Sequence, residues 1–96
     1  MIYLAAPYSH VDEDTRRWRV VMASAVAARL MEAGHVVFSP ITHGHLISRY
    51  MPPKDHAFWM AQCKLFLAHA SAMYILTIPG WDQSTGVAVE KERAHH

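Results

Sequence analysis

The chain has 96 residues, of which 52% are hydrophobic and 18% charged. This length predicts one domain spanning residues 1–96, and the composition excludes a disordered chain. The formal charge of +1 lacks the basic excess typical of proteins that bind nucleic-acid polymers. No apolar run is long enough to span a bilayer, and the first residues do not resemble a signal peptide. We therefore expect a cytoplasmic globular protein with no membrane or nucleic-acid polymer partner.

The first 39 residues alternate between strand-like and helix-like patterns. Residues 2–6 are apolar and stop at Pro7, which predicts a short buried strand. A helix is predicted from two acids, Asp12 and Glu13, to Gly34, and residues 35–39 form a second predicted strand. The helix carries apolar residues at helical spacing, namely Trp18, Val21, Met22, Ala25, Val26 and Leu30. Strand, helix and strand together predict a right-handed crossover unit.

The same alternation continues after a polar segment rich in histidine, glycine and proline. We predict a long functional loop over residues 41–54, with a short helical turn within it as an alternative. Asp55 is an N-cap candidate for a helix with the apolar stripe Phe58, Trp59, Gln62, Leu65, Phe66 and Ala70. A third strand over residues 73–78, a turn over 81–86 and a helix over 87–94 complete the chain.

This order predicts an α/β fold of three layers, with a small parallel sheet of flavodoxin-like or Rossmann-like topology. Ligands of such folds bind beyond the carboxyl ends of the strands. That rule brings residues 7–10, 40–45 and 79–84 to one edge of the sheet. We expect a small-molecule site there.

Three segments at that edge carry a resemblance to a known family. They are residues 2–9 (IYLAAPYS), 39–45 (SPITHGH) and 80–90 (GWDQSTGVAVE). In this order they resemble the nucleoside 2-deoxyribosyltransferase superfamily, in particular its small, largely uncharacterised bacterial and phage branch, which is similar to deoxynucleoside 5'-monophosphate N-glycosidases. The match runs from the first strand to the last helix, and the Ser-x-Gly-x-x-x-Glu block is its most specific part.

The resemblance implies roles for three residues. Glu90 corresponds to the nucleophile that attacks the anomeric carbon of a 2-deoxyribonucleoside, and Tyr3 to a tyrosine that contacts this nucleophile. Ser84 corresponds to the position that receives the sugar's 5' end, where a serine favours a 5'-phosphate and an acid favours a free hydroxyl. The chemistry itself also needs a carboxylate, because N-glycosidic cleavage passes through an oxocarbenium-like state. Purely structural roles are the alternatives: a helix cap for Ser84 and core packing for Tyr3.

Further residues of the three segments are candidate ligands of the substrate. Ser9 and His10 are candidates for phosphate or sugar, and Trp81 is a better candidate for stacking on a base than Phe58 or Trp59, which have the spacing of core residues. The complete set of predicted substrate-binding residues is Pro7, Ser9, His45, Trp81, Asp82, Ser84 and Gly86.

The sequence departs from the superfamily pattern in its middle helix and at its end. Cys63 and Ser71 stand where relatives carry acids, so another residue must assist the departing base. The candidates are His43, His45, Asp55 and Asp82, and we select His43 as the third catalytic residue, because a histidine pKa suits proton transfer near neutrality. The chain also stops soon after Glu90, where relatives continue into another strand, so a C-terminally short fold is expected.

The predicted function is N-glycosidic bond cleavage or base exchange on a 2'-deoxyribonucleoside or its 5'-monophosphate. The alternative is a nucleotide-binding module with impaired catalysis, which the cysteine at position 63 favours. No cofactor is expected. A metal site built from His43, His45 and His56 is disfavoured because no further ligand pattern completes it. Because a small sheet leaves apolar surface uncovered, we expect a homodimer or larger homo-oligomer. His95 and His96 are given no function, since they are either native or the remnant of a tag.

Overall fold

A computed structural model describes residues 1–94; His95 and His96 lie outside the described residues. The elements in chain order are β1 (Ile2–Ala5), α1 (Glu13–Glu32), β2 (Val37–Phe38), α2 (Pro40–Ser48), α3 (His56–Ala68), β3 (Ala72–Ile75), a 3-10 turn (Trp81–Gln83) and α4 (Thr85–Ala94). Within the described part of the chain, no helix has the length and apolar character needed to cross a membrane.

The three strands form one parallel sheet in the order β2-β1-β3. Tyr3 on the central strand is in register with Phe38 on one side and Met73 on the other. Helix α1 contacts α2 and β2, whereas α3 contacts α4 and α4 contacts β3. This arrangement is compatible with a three-layer α/β fold and confirms the predicted fold class.

Capping residues set the starts of α1 and α3, as predicted for Asp55, and Asp12 also proves to be a cap. The Asp12 carboxylate accepts from the backbone N–H of Thr15 at 3.2 Å, and the Asp55 carboxylate accepts from that of Phe58 at 2.9 Å. Each bond satisfies one of the free N–H groups in a first helical turn. After α1, Gly34 adopts a φ of +97°, a left-handed conformation that suits glycine.

The predicted loop over residues 41–54 is wrong for its first half, which is a helix of nine residues and not a loop with at most a short helical turn. Residues 40–48 form helix α2, because Pro40 occupies the first helical turn, where its missing N–H costs nothing. Gly44 lets this helix approach α3, since a Cβ there would lie 3.1 Å from Trp59. The second and third strands are also shorter than expected, at residues 37–38 and 72–75.

The buried faces of two helices differ from the predicted apolar stripes. Helix α1 buries Arg19, Ala23 and Ala27, and α3 buries Met60, Cys63 and Leu67. Trp18 on α1 is 45% exposed and Leu65 on α3 is 65% exposed. The small alanines let α1 approach its neighbours closely. Because both helices are apolar on several sides, spacing alone selected the wrong face.

Candidate active site

A cavity of about 780 Å³ opens beyond the carboxyl ends of the three strands, where the fold predicted a ligand site. Residues that follow β1, β2 and β3 all contribute to its wall, together with side chains from all four helices. The lining residues are Ala6, Tyr8, Ser9, His10, Arg19, Pro40, Ile41, Gly44, His45, Ser48, Lys54, His56, Trp59, Met60, Cys63, Gly80, Gln83, Ser84, Gly86 and Glu90.

The first feature of the site is a buried pair between Tyr3 and Glu90. The Tyr3 hydroxyl donates a hydrogen bond to Glu90 Oε2. Tyr3 is 0% exposed and Glu90 is 6% exposed, and the glutamate lines the cavity. Val87 and Glu90 lie three positions apart on α4 and are both buried, so one face of this helix turns towards the protein interior. The fold thus holds one carboxylate at a defined place in the cavity wall.

The low polarity around this pair sets its protonation states. Burial raises the pKa of Glu90 to about 7, and the hydrogen bond from Tyr3 opposes this rise. Burial and the charge of Glu90 raise the pKa of Tyr3 far above its usual range, so the phenol stays protonated and remains a donor. Burial, then Glu90, also raises the pKa of the Cys63 thiol. Near neutral pH the site therefore holds a partly ionised carboxyl group beside two neutral donors.

The start of helix α4 forms a second part of the cavity wall. The Ser84 hydroxyl accepts from the backbone N–H of Val87 at 3.2 Å, which caps the helix. This bond uses an oxygen lone pair, so the hydroxyl hydrogen of Ser84 remains free to donate to a ligand. Gly86 lies beside it, and a Cβ at Gly86 would lie 3.5 Å from the ring of His56. The capping role predicted for Ser84 is present and does not prevent a ligand contact.

Tyr8 and His45 form a hydrogen-bonded pair at the cavity wall. The Tyr8 hydroxyl lies 2.8 Å from His45 Nδ1, and the two rings meet edge to face. Burial, followed by the charge of Arg49, lowers the pKa of His45. The imidazole is therefore mainly neutral near pH 7. With Tyr8 donating to Nδ1, its ring proton is carried on Nε2.

The structure brings about half of the predicted site residues to the cavity. Those that line it are Ser9, His45, Ser84, Gly86 and Glu90, and Tyr3 reaches it through Glu90. Pro7, Trp81, Asp82 and His43 are not among the lining residues. Pro7 is fully buried in the core, and Asp82 is exposed. Trp59, which we had assigned to the core, lines the cavity instead of Trp81.

His43 does not reach the cavity because of the helix that carries it. Residues two apart on an α-helix point in nearly opposite directions, so His43 and His45 face different sides of α2. The ring of His43 lies 5.4 Å from that of Phe38 and 6.3 Å from that of Phe66. Of the four candidates for assisting the departing base, His45 is the one that lines the cavity. Across residues 1–94, no three His, Cys, Asp or Glu side chains group as metal ligands.

Several cavity residues were missed by the sequence analysis, Arg19 above all. This arginine lies in the second turn of α1, where a basic residue is normally assigned to the solvent-exposed face. It is instead 8% exposed and lines the cavity. Lys54, His56 and Tyr8 were also missed. No spacing pattern in a single sequence marks these residues as members of one site. They come together only because segments distant in sequence pack against each other.

The comparison with protein families gives one match over the full length. Residues 1–96 match the family described as domain of unknown function DUF1937, and the chain belongs to this family. No curated protein matches the sequence. The family description assigns no activity, so the function must be argued from the site.

Proposed function

We propose that the protein cleaves the N-glycosidic bond of a 2'-deoxyribonucleoside or its 5'-monophosphate through Glu90. The observation that supports this most strongly is the buried Tyr3–Glu90 pair, which places a carboxylate in the wall of a nucleotide-sized cavity. Glycosidic cleavage needs a carboxylate that stabilises or traps an oxocarbenium-like state. No other Asp or Glu lines the cavity within the described residues.

In the first step, a Glu90 carboxylate oxygen forms a bond to C1' of the sugar as the bond from C1' to the base nitrogen breaks. The electron pair of the broken bond leaves with the base. Tyr3 holds the carboxylate by donating to Oε2, which leaves the other carboxylate oxygen available for attack. Partial burial makes the ionised carboxylate more reactive than one in water, because fewer water molecules must be removed.

His45 assists the departing base in this proposal. Its Nε2–H donates a hydrogen bond to the base as negative charge develops on the ring, and Tyr8 holds the imidazole through Nδ1. The base then takes a proton from water, and the resulting hydroxide attacks C1' and releases Glu90. The products are the free base and the free sugar or sugar phosphate. If a second base attacks instead of hydroxide, the outcome is base exchange.

The resemblance to the nucleoside 2-deoxyribosyltransferase superfamily supports the same assignment independently. The resemblance pairs Tyr3 with Glu90, and the two side chains are hydrogen bonded. It also relates Ser84 to the sugar's 5' end, and Ser84 lies in the cavity wall six residues before Glu90 on the same segment. A serine in this position favours a 5'-monophosphate substrate.

A nucleotide-binding module without catalysis is the second candidate function. It is favoured by Cys63, which stands where the superfamily pattern has an acid. The raised pKa of this thiol makes it a poor acid and a poor nucleophile near pH 7. In this alternative, the cavity would bind a nucleotide without releasing its base.

Assembly into a homodimer or larger homo-oligomer is part of the proposal. Helix α2 carries a group of exposed apolar side chains on the side away from the cavity residues His45 and Ser48, and we name this group the α2 patch. It consists of Leu46, Ile47 and Tyr50, the last just after the helix, which are 63%, 43% and 89% exposed. A second copy that packs on the α2 patch would bury these apolar side chains.

The test of the proposed function is incubation with the four common deoxynucleoside 5'-monophosphates and their nucleosides, with chromatographic detection of free base. We expect base release by the wild-type protein and none by Glu90→Gln. The pair His45→Gln and His43→Gln provides a matched comparison on one helix. His45→Gln should slow release by about tenfold or more, whereas His43→Gln should not. Nucleotide binding without any base release would support the binding module instead.

A further inference from the structure

Arg19 is a buried cation without an acidic partner among the described residues. Its Nη1 donates to the carbonyl of Ser9 at 3.0 Å and its Nη2 donates to the carbonyl of Pro79 at 3.2 Å. Its Nε is buried and has no hydrogen-bond partner among the described residues. In the same part of the chain, no carboxylate lies within 4.0 Å of the guanidinium. The two carbonyls satisfy only part of its five N–H donors.

Arg17 shows how different the position of Arg19 is. Arg17 lies two residues earlier on α1, is exposed, and has Glu13 and Asp14 at 3.7 and 3.5 Å. A surface pair of this kind adds little stability, whereas burying an unpaired charge is expensive. Arg17, which water already solvates, therefore has acidic partners on the helix, whereas the buried Arg19 has no counter-charge among the described residues. An anionic ligand would supply that charge.

The turn after β3 connects Arg19 with the start of α4. Gly80 has a φ of +97°, and a Cβ there would lie 2.6 Å from Arg19 Nη2. Any side chain at this position would force the guanidinium or the turn itself to shift, and the left-handed φ also favours glycine. One 3-10 turn leads from Gly80 to Ser84, whose hydroxyl hydrogen is free to donate, and then to Gly86. Arg19, Ser84 and Gly86 all line the same cavity.

The charges of the cavity wall also favour an anion. Arg19 and Lys54 are its cationic side chains, and His10, His45 and His56 add donors. The single acid of the lining, Glu90, has no ion pair with Arg19. Glu90 and Arg19 thus act at separate places in the cavity. A substrate with a reactive sugar carbon and a separate negative group would need such an arrangement, with Glu90 at the carbon and Arg19 at the negative group.

We propose that Arg19, together with the Ser84–Gly86 start of α4, forms a subsite for a phosphate monoester. The guanidinium supplies the charge, and the Ser84 hydroxyl and the backbone N–H of Gly86 at the start of α4 supply further donors. In assigning the bound group to the substrate's 5'-phosphate, the inference rests on the proposed function. It makes Arg19 the residue that selects nucleotides over nucleosides.

The test is calorimetric binding of 2-deoxyribose 5-phosphate, with 2-deoxyribose and inorganic phosphate as comparison ligands. We expect the sugar phosphate to bind and the unphosphorylated sugar to bind at least about tenfold more weakly, as expected for the loss of a charged hydrogen-bonding partner. Arg19→Met should lose most of this difference. The control Arg17→Met removes an arginine from the same helix and should leave binding unchanged.

A second variant tests the position of the guanidinium while the charge is kept. Gly80→Ala places a methyl group against Arg19 Nη2 and should weaken binding of the sugar phosphate more than binding of the sugar. This variant decides the question if Arg19→Met does not fold. Wild-type affinity for the sugar phosphate in either folded variant would show that Arg19 only joins the loops of Ser9 and Pro79, and would overturn the proposal.

The two proposals fail in different ways. Arg19-dependent phosphate binding without base release from any nucleotide would retain the subsite and reject the glycosidase activity. Base release at equal rates from nucleotides and nucleosides, unaffected by Gly80→Ala, would retain the glycosidase activity and reject the subsite.

Discussion

The hydroxyl of Tyr3, on the central strand, donates a hydrogen bond to the carboxylate of Glu90, which lies 87 positions later on the last helix. This contact joins the sheet to α4 and places two ionisable groups in a space that excludes most water. The protein keeps a buried acid here, where an apolar residue would stabilise the fold more. Such an arrangement is typical of residues retained for chemistry.

Replacing Tyr3 with phenylalanine should change the pH dependence of base release. The reactive form of Glu90 is the carboxylate, so the rate should rise with pH through its pKa of about 7. The hydrogen bond from Tyr3 lowers this pKa, and removing it should move the rising limb to higher pH and slow the reaction at pH 7 by about tenfold. A pH–rate profile of each variant measures this shift.

Tyr74→Phe is the matched control, because Tyr74 lies on β3 and is 44% exposed. Its profile should coincide with that of the wild-type protein. An unchanged profile in Tyr3→Phe would show that the phenol is only a packing residue.

Glu90→Gln should stabilise the protein at pH 8 while removing its activity. Because the folded protein raises the pKa of Glu90 from 4.5 to about 7, the folded state binds more protons than the unfolded state between these values. Wild-type stability should therefore fall as the pH rises from about 4.5 to 7. The neutral amide has no such dependence, and its advantage at pH 8 should approach about 3 kcal/mol at most. Urea unfolding at pH 5 and pH 8 measures the difference.

Glu92→Gln removes an acid from the exposed side of the same helix. It should change stability little at either pH. If Glu90→Gln were no more stable than Glu92→Gln at pH 8, the carboxyl group of Glu90 would not carry the desolvation cost that its burial implies.

Ser84→Asp should reverse the preference between nucleotides and nucleosides. Aspartate caps a helix as well as serine does, so the start of α4 is kept, but its charge repels a phosphate dianion. We expect the wild-type protein to prefer 5'-monophosphates in kcat/KM by about tenfold or more, and Ser84→Asp to lose this preference. Equal values for both substrate classes in the wild-type protein would contradict the assignment of Ser84 to the 5' end.

Association through the α2 patch should be visible by light scattering at micromolar concentration. We expect a homodimer or larger assembly, and Leu46→Glu should shift it towards the monomer. Leu65→Glu is the control, because Leu65 is similarly exposed, at 65%, on helix α3. A fully active wild-type monomer would exclude the assembly and show that one chain shields the reaction from water.

Local signals in the sequence predicted the order of the elements and the helix limits set by Asp12, Gly34 and Asp55. They failed for α2, because Pro40, Gly44 and the neighbouring histidines are more common in loops than in helices. Helical spacing also gave the wrong buried face for α1 and α3. Small residues such as Ala23 and Ala27 pack closely but contribute weakly to an apolar pattern.

Only part of the candidate site could be predicted, because local sequence patterns do not show which distant residues meet in the fold. The position of the site followed from parallel-sheet topology, and the relationship of Tyr3 to Glu90 followed from the family resemblance. Arg19 was missed, because its partners are the carbonyls of Ser9 and Pro79, which belong to loops distant in sequence. No local pattern in a single sequence marks an arginine whose environment is formed by the tertiary fold.

The most direct test of the nucleophilic role of Glu90 is mass spectrometry of protein quenched in acid during turnover of a deoxynucleoside 5'-monophosphate. The account predicts a covalent adduct of the 2-deoxyribose 5-phosphate group on the peptide that contains Glu90, and neither adduct nor base release in Glu90→Ala with its fold intact by circular dichroism. Base release by Glu90→Ala at the wild-type rate, or an adduct on another residue, would contradict the account.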